Sequence, residues 1–271
     1  MRRETFHTPG PLTLDLQMPA GEIDVETGEG EETVVELDTS SNRDDVQRAI
    51  DEARIELRPR GDGHTLVVAV QRRANRFGLS IDRGEITMRI RAPHDASVDL
   101  STASADVDLQ GRFGAVKAQV ASGDFRLQEA NGRVDVKSAS GDVELGVLGG
   151  EASVATASGD LSVRLVSGDA VLRSASGDVE VDEAMSSLTV QTASGDQRIG
   201  SVTSGRVTLQ SASGDQQVGV RRGSRVHLDV RTMSGDASSE LEVGDELPGG
   251  AGPTVELRAT SMSGDIQVTR A

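Results

Sequence analysis

The chain has 271 residues, with 28 Lys+Arg against 44 Asp+Glu and a formal net charge of -16. That charge repels nucleic acid and anionic membrane surfaces, so neither is expected as a partner. There is no Cys, Trp or Tyr and only four Phe, which excludes a disulfide framework, a thiolate metal site and the aromatic platforms that bind single-stranded nucleic acid.

The N-terminal stretch MRRETFHTPGPLTLDLQMPAG contains no apolar run of signal-peptide length. The longest uninterrupted apolar run, Leu66 to Val70, is far too short for a membrane span. The expectation is a cytoplasmic protein with no direct membrane insertion. Residues 1–100 read as a β-rich capping region. Alternating apolar residues predict strands at Leu12-Leu14-Leu16, Val34-Val35-Leu37, Ile55-Leu57, Leu66 to Val70 and Ile86-Met88-Ile90. One helix is expected at 42–53. Val46, Ala49, Ile50 and Ala53 share a face there, and Asp44 and Asp45 suit its positive N-terminal end. Ala20-Gly21-Glu22-Ile23-Asp24-Val25 resembles Ser176-Gly177-Asp178-Val179-Glu180-Val181 much further on.

Residues 101–271 are repetitive. Ser-Gly-Asp ends at Asp124, Asp142, Asp160, Asp178 and Asp196, eighteen residues apart, and the variant Ser104-Ala105-Asp106 keeps the step. Later copies end at Asp215, Asp236 and Asp265, after steps of 19, 21 and 29, which suggests inserted loops, the longest near 244–253. Glycines also recur every nine residues, as at Gly114, Gly123, Gly132 and Gly141. Each unit is therefore two short arms with glycine corners. Gly123, Gly141, Gly159, Gly177, Gly195 and Gly214 are the turn glycines of the full motif. Small Ala139, Ala157, Ala175 and Ala193 precede these corners, where little room is expected.

Two strands and two corners per eighteen residues predict an all-β fold, a parallel β-solenoid (β-helix). The usual hand of parallel crossovers makes it right-handed. A single coil cannot bury its apolar face alone, so each must match the one beneath it. Val107, Phe125, Val143, Leu161 and Val179 should stack in one inward column, and Leu109, Leu127, Leu145, Val163 and Val181 in a second. The last nine residues, Ser263 to Ala271, read as strand to the end. They predict an open C-terminal edge available to an unknown protein partner or to self-association.

The repeated Ser-Ala-Ser-Gly-Asp followed by Val-x-Val, entered through Met88-Arg89-Ile90-Arg91-Ala92-Pro93 and Ser101-Thr102-Ala103-Ser104, resembles the bacterial "putative adhesin" β-strand-repeat domains of unknown function. The similarity covers roughly Gly10 to Val268. The resemblance implies a coil rather than a chemistry, with cell-surface adhesion and envelope-stress signalling as the family's settings.

The aspartates Asp106, Asp124, Asp142, Asp160, Asp178, Asp196, Asp215, Asp236 and Asp265 are expected to be structural turn residues that accept backbone N–H bonds. The sharper alternative is a carboxylate ladder that collects calcium. It departs from the calcium-roll pattern Gly-Gly-x-Gly-x-Asp, because a single Gly precedes Asp in the Ser-Gly-Asp copies and most half-repeats lack the Asp. A carbohydrate-active β-helix needs two carboxylates in different environments, and a uniform ladder does not supply that. His7, His64, His94 and His227 show no metal-ligand spacing. There is no Gly-x-Ser-x-Gly elbow and no Gly-x-x-x-x-Gly-Lys phosphate loop. Phe113 and Phe125 read as core or corner filling. The reading is a non-enzymatic binding or scaffold module without a catalytic, cofactor or metal site.

Overall fold

A computed structural model describes residues 1–71, 86–241 and 252–271. The chain forms two compact units, Met1–Gly141 and Asp142–Ala271.

The first unit contains β1 (Arg2–His7), β2 (Leu12–Gly28), β3 (Glu32–Asp38), α1 (Asp44–Asp51), β4 (Arg54–Arg60), β5 (Gly63–Ala69), β6 (Thr87–Pro93), β7 (Ser97–Phe113), β8 (Val116–Ser122), β9 (Phe125–Ala130) and β10 (Val134–Ser138). The resemblance at Ala20–Val25 has a structural basis. β2 lies parallel along β7 with Ala20 opposite Ser104, Gly21 opposite Ala105 and Glu22 opposite Asp106. It is a coil in its own right. On its other side β5 pairs with its first half and β6 with its second, both parallel. β3 then pairs antiparallel with β6, β1 with β3, and β4 with β5. The chain's first coil is thus an inner layer, and this end of the unit is closed by strands of opposite direction.

The helix runs over Asp44–Asp51, a shorter span than the sequence pattern predicts, and buries Val46, Ala49 and Ile50. Its C-terminal carbonyls are satisfied from β1. Arg2 Nη1 donates to the carbonyls of Ile50 (3.1 Å), Asp51 (3.1 Å) and Ala53 (2.6 Å). A guanidinium is well suited to that place, where orphan carbonyls and the negative end of the helix dipole coincide.

The second unit contains β11 (Val143–Leu148), β12 (Ala152–Ser158), β13 (Leu161–Val166), β14 (Ala170–Ser176), β15 (Val179–Ala184), β16 (Leu188–Ser194), β17 (Gln197–Val202), β18 (Gly205–Ser213), β19 (Gln216–Val220), β20 (Arg225–Thr232), β21 (Ala237–Ser239), β22 (Thr254–Ser263) and β23 (Ile266–Arg270). Two parallel stacks result. One runs β11, β13, β15, β17, β19, and the other β12, β14, β16, β18. Registers such as Val143 with Leu161 and Leu161 with Val179 keep the eighteen-residue step.

Both expected columns are present within each unit. Val107 sits opposite Phe125 and Leu109 opposite Leu127 in the first. Val143, Leu161 and Val179 align in the second, as do Leu145, Val163 and Val181. All of them are buried, as is Phe113. The first column then changes character, for Gln197 and Gln216 follow Val179 and are equally buried.

The end of the chain departs from sequence order. β22 pairs with β18 on one side and β20 on the other, and β23 likewise lies between β19 and β21. The last coil of the chain is therefore an inner coil, and the preceding one is outermost. This corrects the expected position of the open edge. Ile266 and Val268 are buried, and the single-sided strands among the described residues of this end are β20 and β21. The loop expected near 244–253 lies outside the described residues except for Gly252 and Pro253. Among the described residues no helix is long and apolar enough to cross a membrane.

Candidate functional site

The Ser-Gly-Asp corner is the most repeated chemical feature, and its hydrogen bonding is uniform. In the first unit the backbone N–H of Asp124 donates to Asp106 Oδ1 at 3.0 Å. In the second unit Asp160 donates to Asp142 (2.9 Å), Asp178 to Asp160 (2.9 Å), Asp196 to Asp178 (2.8 Å) and Asp215 to Asp196 (2.8 Å). The ladder then follows the spatial order of the coils. Asp265 donates to Asp215 and Asp236 to Asp265, each at 2.8 Å. The bonds therefore run between coils. Each carboxylate fixes the corner above it.

Glycine is required in these corners for two reasons, seen at Gly177. Its φ is +126°, a region L side chains rarely adopt, and a Cβ there would collide with the Gly159 carbonyl. Gly123, Gly141, Gly159, Gly195 and Gly214 share the positive φ.

The residue filling the corner from inside is not the alanine. Ala139, Ala157, Ala175 and Ala193 face outward. The hydroxyl residue before each one is buried, namely Ser138, Thr156, Ser174 and Thr192. Ser138 Oγ donates to the Ser140 carbonyl (3.2 Å), Thr156 Oγ1 to that of Ser158 (3.1 Å) and Ser211 Oγ to that of Ser213 (2.9 Å). A short hydroxyl is small enough for the corner and at these three supplies the donor that the turning carbonyl needs, whereas Ser174 Oγ is buried without a partner. Its recurrence at the same step was a readable signal. Near Thr192 the interior is more polar. Gln197 Nε2 donates to Thr192 Oγ1 and to the Gln210 carbonyl, both at 2.8 Å, while the Oε1 atoms of Gln197 and Gln216 have no hydrogen-bond partner.

Elsewhere charged groups sit on outer strand faces. In the first unit a groove of about 360 Å³ is lined by Glu22, Asp24, Glu26, Glu36, Arg89 and Asp108 among others. Burial, then the charges of Glu22 and Asp108, push the Asp24 carboxyl above its ordinary value, against the pull of Arg89. In the second unit Asp169 ends Ser167-Gly168-Asp169, a further copy of the motif nine residues after Asp160. It is held below its ordinary value, chiefly by the Ser186 hydroxyl at 2.7 Å and then by the Ser187 N–H at 3.2 Å. The four histidines are not brought together. His7 lies 3.8 Å from Glu31, His64 is on β5, His94 follows β6 and His227 is on β20. Among the described residues no group of three or more His, Asp or Glu is placed to hold a metal ion.

The remaining feature is the outer coil of the second unit. Val226, Leu228 and Val230 lie over Val255, Leu257 and Ala259, which are fully buried. They occupy the inward column, yet Leu228 is 40% exposed and nearby Met233 is 83% exposed.

The family description Toastrack DUF4097 matches residues 13–269. No curated protein sequence matches the chain. Among solved structures, a "putative adhesin" from Bacteroides fragilis is similar at 11% identity, covering 100% of this chain and 96% of that one, with a TM-score of 0.46. Another from Parabacteroides merdae gives 11% identity, 98% and 95% coverage and a TM-score of 0.43. A "putative lipid binding protein" from Parabacteroides distasonis gives 12% identity, 98% and 96% coverage and a TM-score of 0.44.

Proposed function

The chain belongs to the Toastrack DUF4097 family, and on that footing we propose that it is a non-enzymatic β-solenoid module that binds or scaffolds a protein partner. Its setting in this reading is adhesion-like or envelope-stress-related interaction. The observation that supports the reading is the use made of the recurring carboxylates. Each Asp Oδ1 named above is engaged with a neighbouring coil's N–H, such as Asp178 with Asp196 at 2.8 Å. Carboxylates used in this way stiffen the stack, and their uniform setting does not supply the two different environments that acid/base catalysis needs. The same reading takes the coils as right-handed, the usual hand for parallel crossovers.

The test is capture from the native cell with the whole chain immobilised, followed by identification of retained proteins. The reading expects a specific protein, retained equally in calcium and in chelator. Cleavage of a polysaccharide panel by the purified chain, or millimolar calcium raising its unfolding temperature sharply, would instead establish the carbohydrate-active or cation-binding alternative.

A further inference from the structure

The open edge of the second unit has a pattern that fits itself. Among the described residues β20 is bonded to β22 alone and β21 to β23 alone. The Arg225 N–H donates inward to the Pro253 carbonyl (2.9 Å) and the Met233 N–H to the Ser261 carbonyl (3.2 Å). Backbone groups alternate sides along a strand. Val226, Leu228 and Val230 therefore turn their N–H and C=O groups to the open side. They are also the residues whose side chains continue the buried column over Val255, Leu257 and Ala259. The edge thus offers unmade ladder bonds and uncovered core at the same positions.

The sequence of this edge, Arg225-Val226-His227-Leu228-Asp229, is complementary to its own reverse. Placed antiparallel about a twofold axis through His227, Arg225 faces Asp229 of the partner subunit and Val226 faces Leu228 of the partner subunit. The pairs of Val226 with Leu228 are then the hydrogen-bonded ones, because those residues direct their backbone groups outward. A twofold contact must be self-complementary in this way. Net charge favours the same place. The chain carries -16 overall, but from Arg221 to Leu241 there are four Arg against Asp229, Asp236 and Glu240. Two copies can meet here without bringing their negative surfaces together.

We propose that β20 pairs antiparallel with β20 of a second copy, closing the open coil end in a twofold dimer. This rests on the scaffold reading and names the partner at one site. Asp229 already receives Arg231 Nε (3.0 Å) and Arg258 Nε (3.2 Å), so in the dimer it becomes the centre of a three-guanidinium cluster.

The experiment uses the full chain in sedimentation velocity, with three variants. The wild type is expected to show a concentration-dependent dimer. Arg225→Asp sets like charges opposite each other and should weaken the dimer at least tenfold. Combining it with Asp229→Arg restores opposite charges, and should restore the dimer. The chain has no cysteine, so His227→Cys places a single thiol on the axis. It should form an interchain disulfide under mild oxidation, whereas Lys137→Cys, on an outer strand face, should not. Circular dichroism confirms that each variant is folded. A wild type that stays monomeric at millimolar concentration overturns the proposal. So does crosslinking of His227→Cys no faster than of Lys137→Cys, or a charge swap that fails to restore association. Any of these leaves the scaffold reading standing, since cellular capture tests that separately. A foreign strand captured at this edge by a monomer overturns the second copy while supporting the scaffold.

Discussion

Replacing Gly177 by Ala separates the two demands that a solenoid corner makes on its glycine. One is conformational: φ of +126° costs a residue with a Cβ about 1–3 kcal/mol. The other comes from stacking, because the added Cβ would overlap the Gly159 carbonyl. Relieving that overlap means lifting one coil off the next. The Gly177 N–H bond to the Ser194 carbonyl (3.2 Å) and the Asp178 N–H bond to Asp160 Oδ1 (2.9 Å) lie within a residue of the strain. A neutral bond contributes about 1 kcal/mol and one to a charged group about 1.5–3 kcal/mol, the latter reduced here by exposure. The expected total for Gly177→Ala is about 3–5 kcal/mol. Gly30 provides the comparison. It has φ of +123°, but nothing lies within 4 Å of a Cβ built there. Gly30→Ala should therefore cost only the conformational part, about 1–3 kcal/mol. Urea unfolding of both variants, followed by circular dichroism, gives the difference. Equal losses would refute the claim that close coil contact, rather than turn geometry alone, selects glycine at the corners.

Other consequences follow from the interior and the charges. Leu172→Ala, at a fully buried position on β14, should lose about 2–5 kcal/mol in the same unfolding assay. Gln197→Leu together with Gln216→Leu removes two buried amide oxygens that have no partner. It also removes three donated bonds, from Gln197 Nε2 to Thr192 Oγ1 and the Gln210 carbonyl and from Gln216 Nε2 to the Thr260 carbonyl, at about 1 kcal/mol each. The two effects should largely offset, leaving a change of less than about 2 kcal/mol, and a much larger loss would mean that the amide oxygens are satisfied in solution. The depressed carboxyl of Asp169 contributes stability that is present above its unfolded value, about 3.9, and is lost as pH falls through the lower folded value. Asp169→Asn should therefore be destabilising at pH 7 and nearly neutral in strong acid. Asp24, whose carboxyl is raised, has the opposite sign. The folded state holds its proton more tightly, so stability falls as pH rises through the window above about 3.9, and Asp24→Asn should stabilise the chain at pH 7. Denaturant midpoints across pH check both.

The parts of this fold that were legible in the sequence are those in which period and polarity coincide. Val143, Leu161 and Val179 recur at a fixed step with polar neighbours on either side, so their inward column follows from alternation alone. The inward Ser138, Thr156, Ser174 and Thr192 were obscured because a hydroxyl three residues before Gly, with a second one next to that Gly, reads as turn chemistry. Only the burial shows that it fills the corner from within. Gln197 was hidden for a related reason, since an amide on an inward column contradicts the pattern that identifies the column. The coil order at the end of the chain could not be read from the motif. The coils ending in Asp236 and Asp265 carry the same Ser-Gly-Asp and the same alternation, so either fits over the coil of Asp215. The two coils differ in their second strand. Ile266 and Val268 fill the inward column of the inner coil and are fully buried, whereas the outer coil has only Ala237 and Ser239 at those places. At the start of the chain Ala20–Val25 did signal a coil. Its place as an inner layer under β5 and β6 depends on pairings across forty or more residues, which local pattern does not encode.

The order of the last coils is the claim on which the open edge depends, and cysteine pairs test it directly. Gln210 lies opposite Thr260 on adjacent strands, within the usual disulfide span if parallel neighbours are about 4.8 Å apart. Thr260 in turn lies opposite Arg231, so Gln210 and Arg231 are separated by a whole strand. In the otherwise cysteine-free chain, Gln210→Cys with Thr260→Cys should form an intrachain disulfide rapidly, and Gln210→Cys with Arg231→Cys should not. The reverse result, with the second pair bridging and the first remaining reduced, would place the coils in chain order and contradict the account.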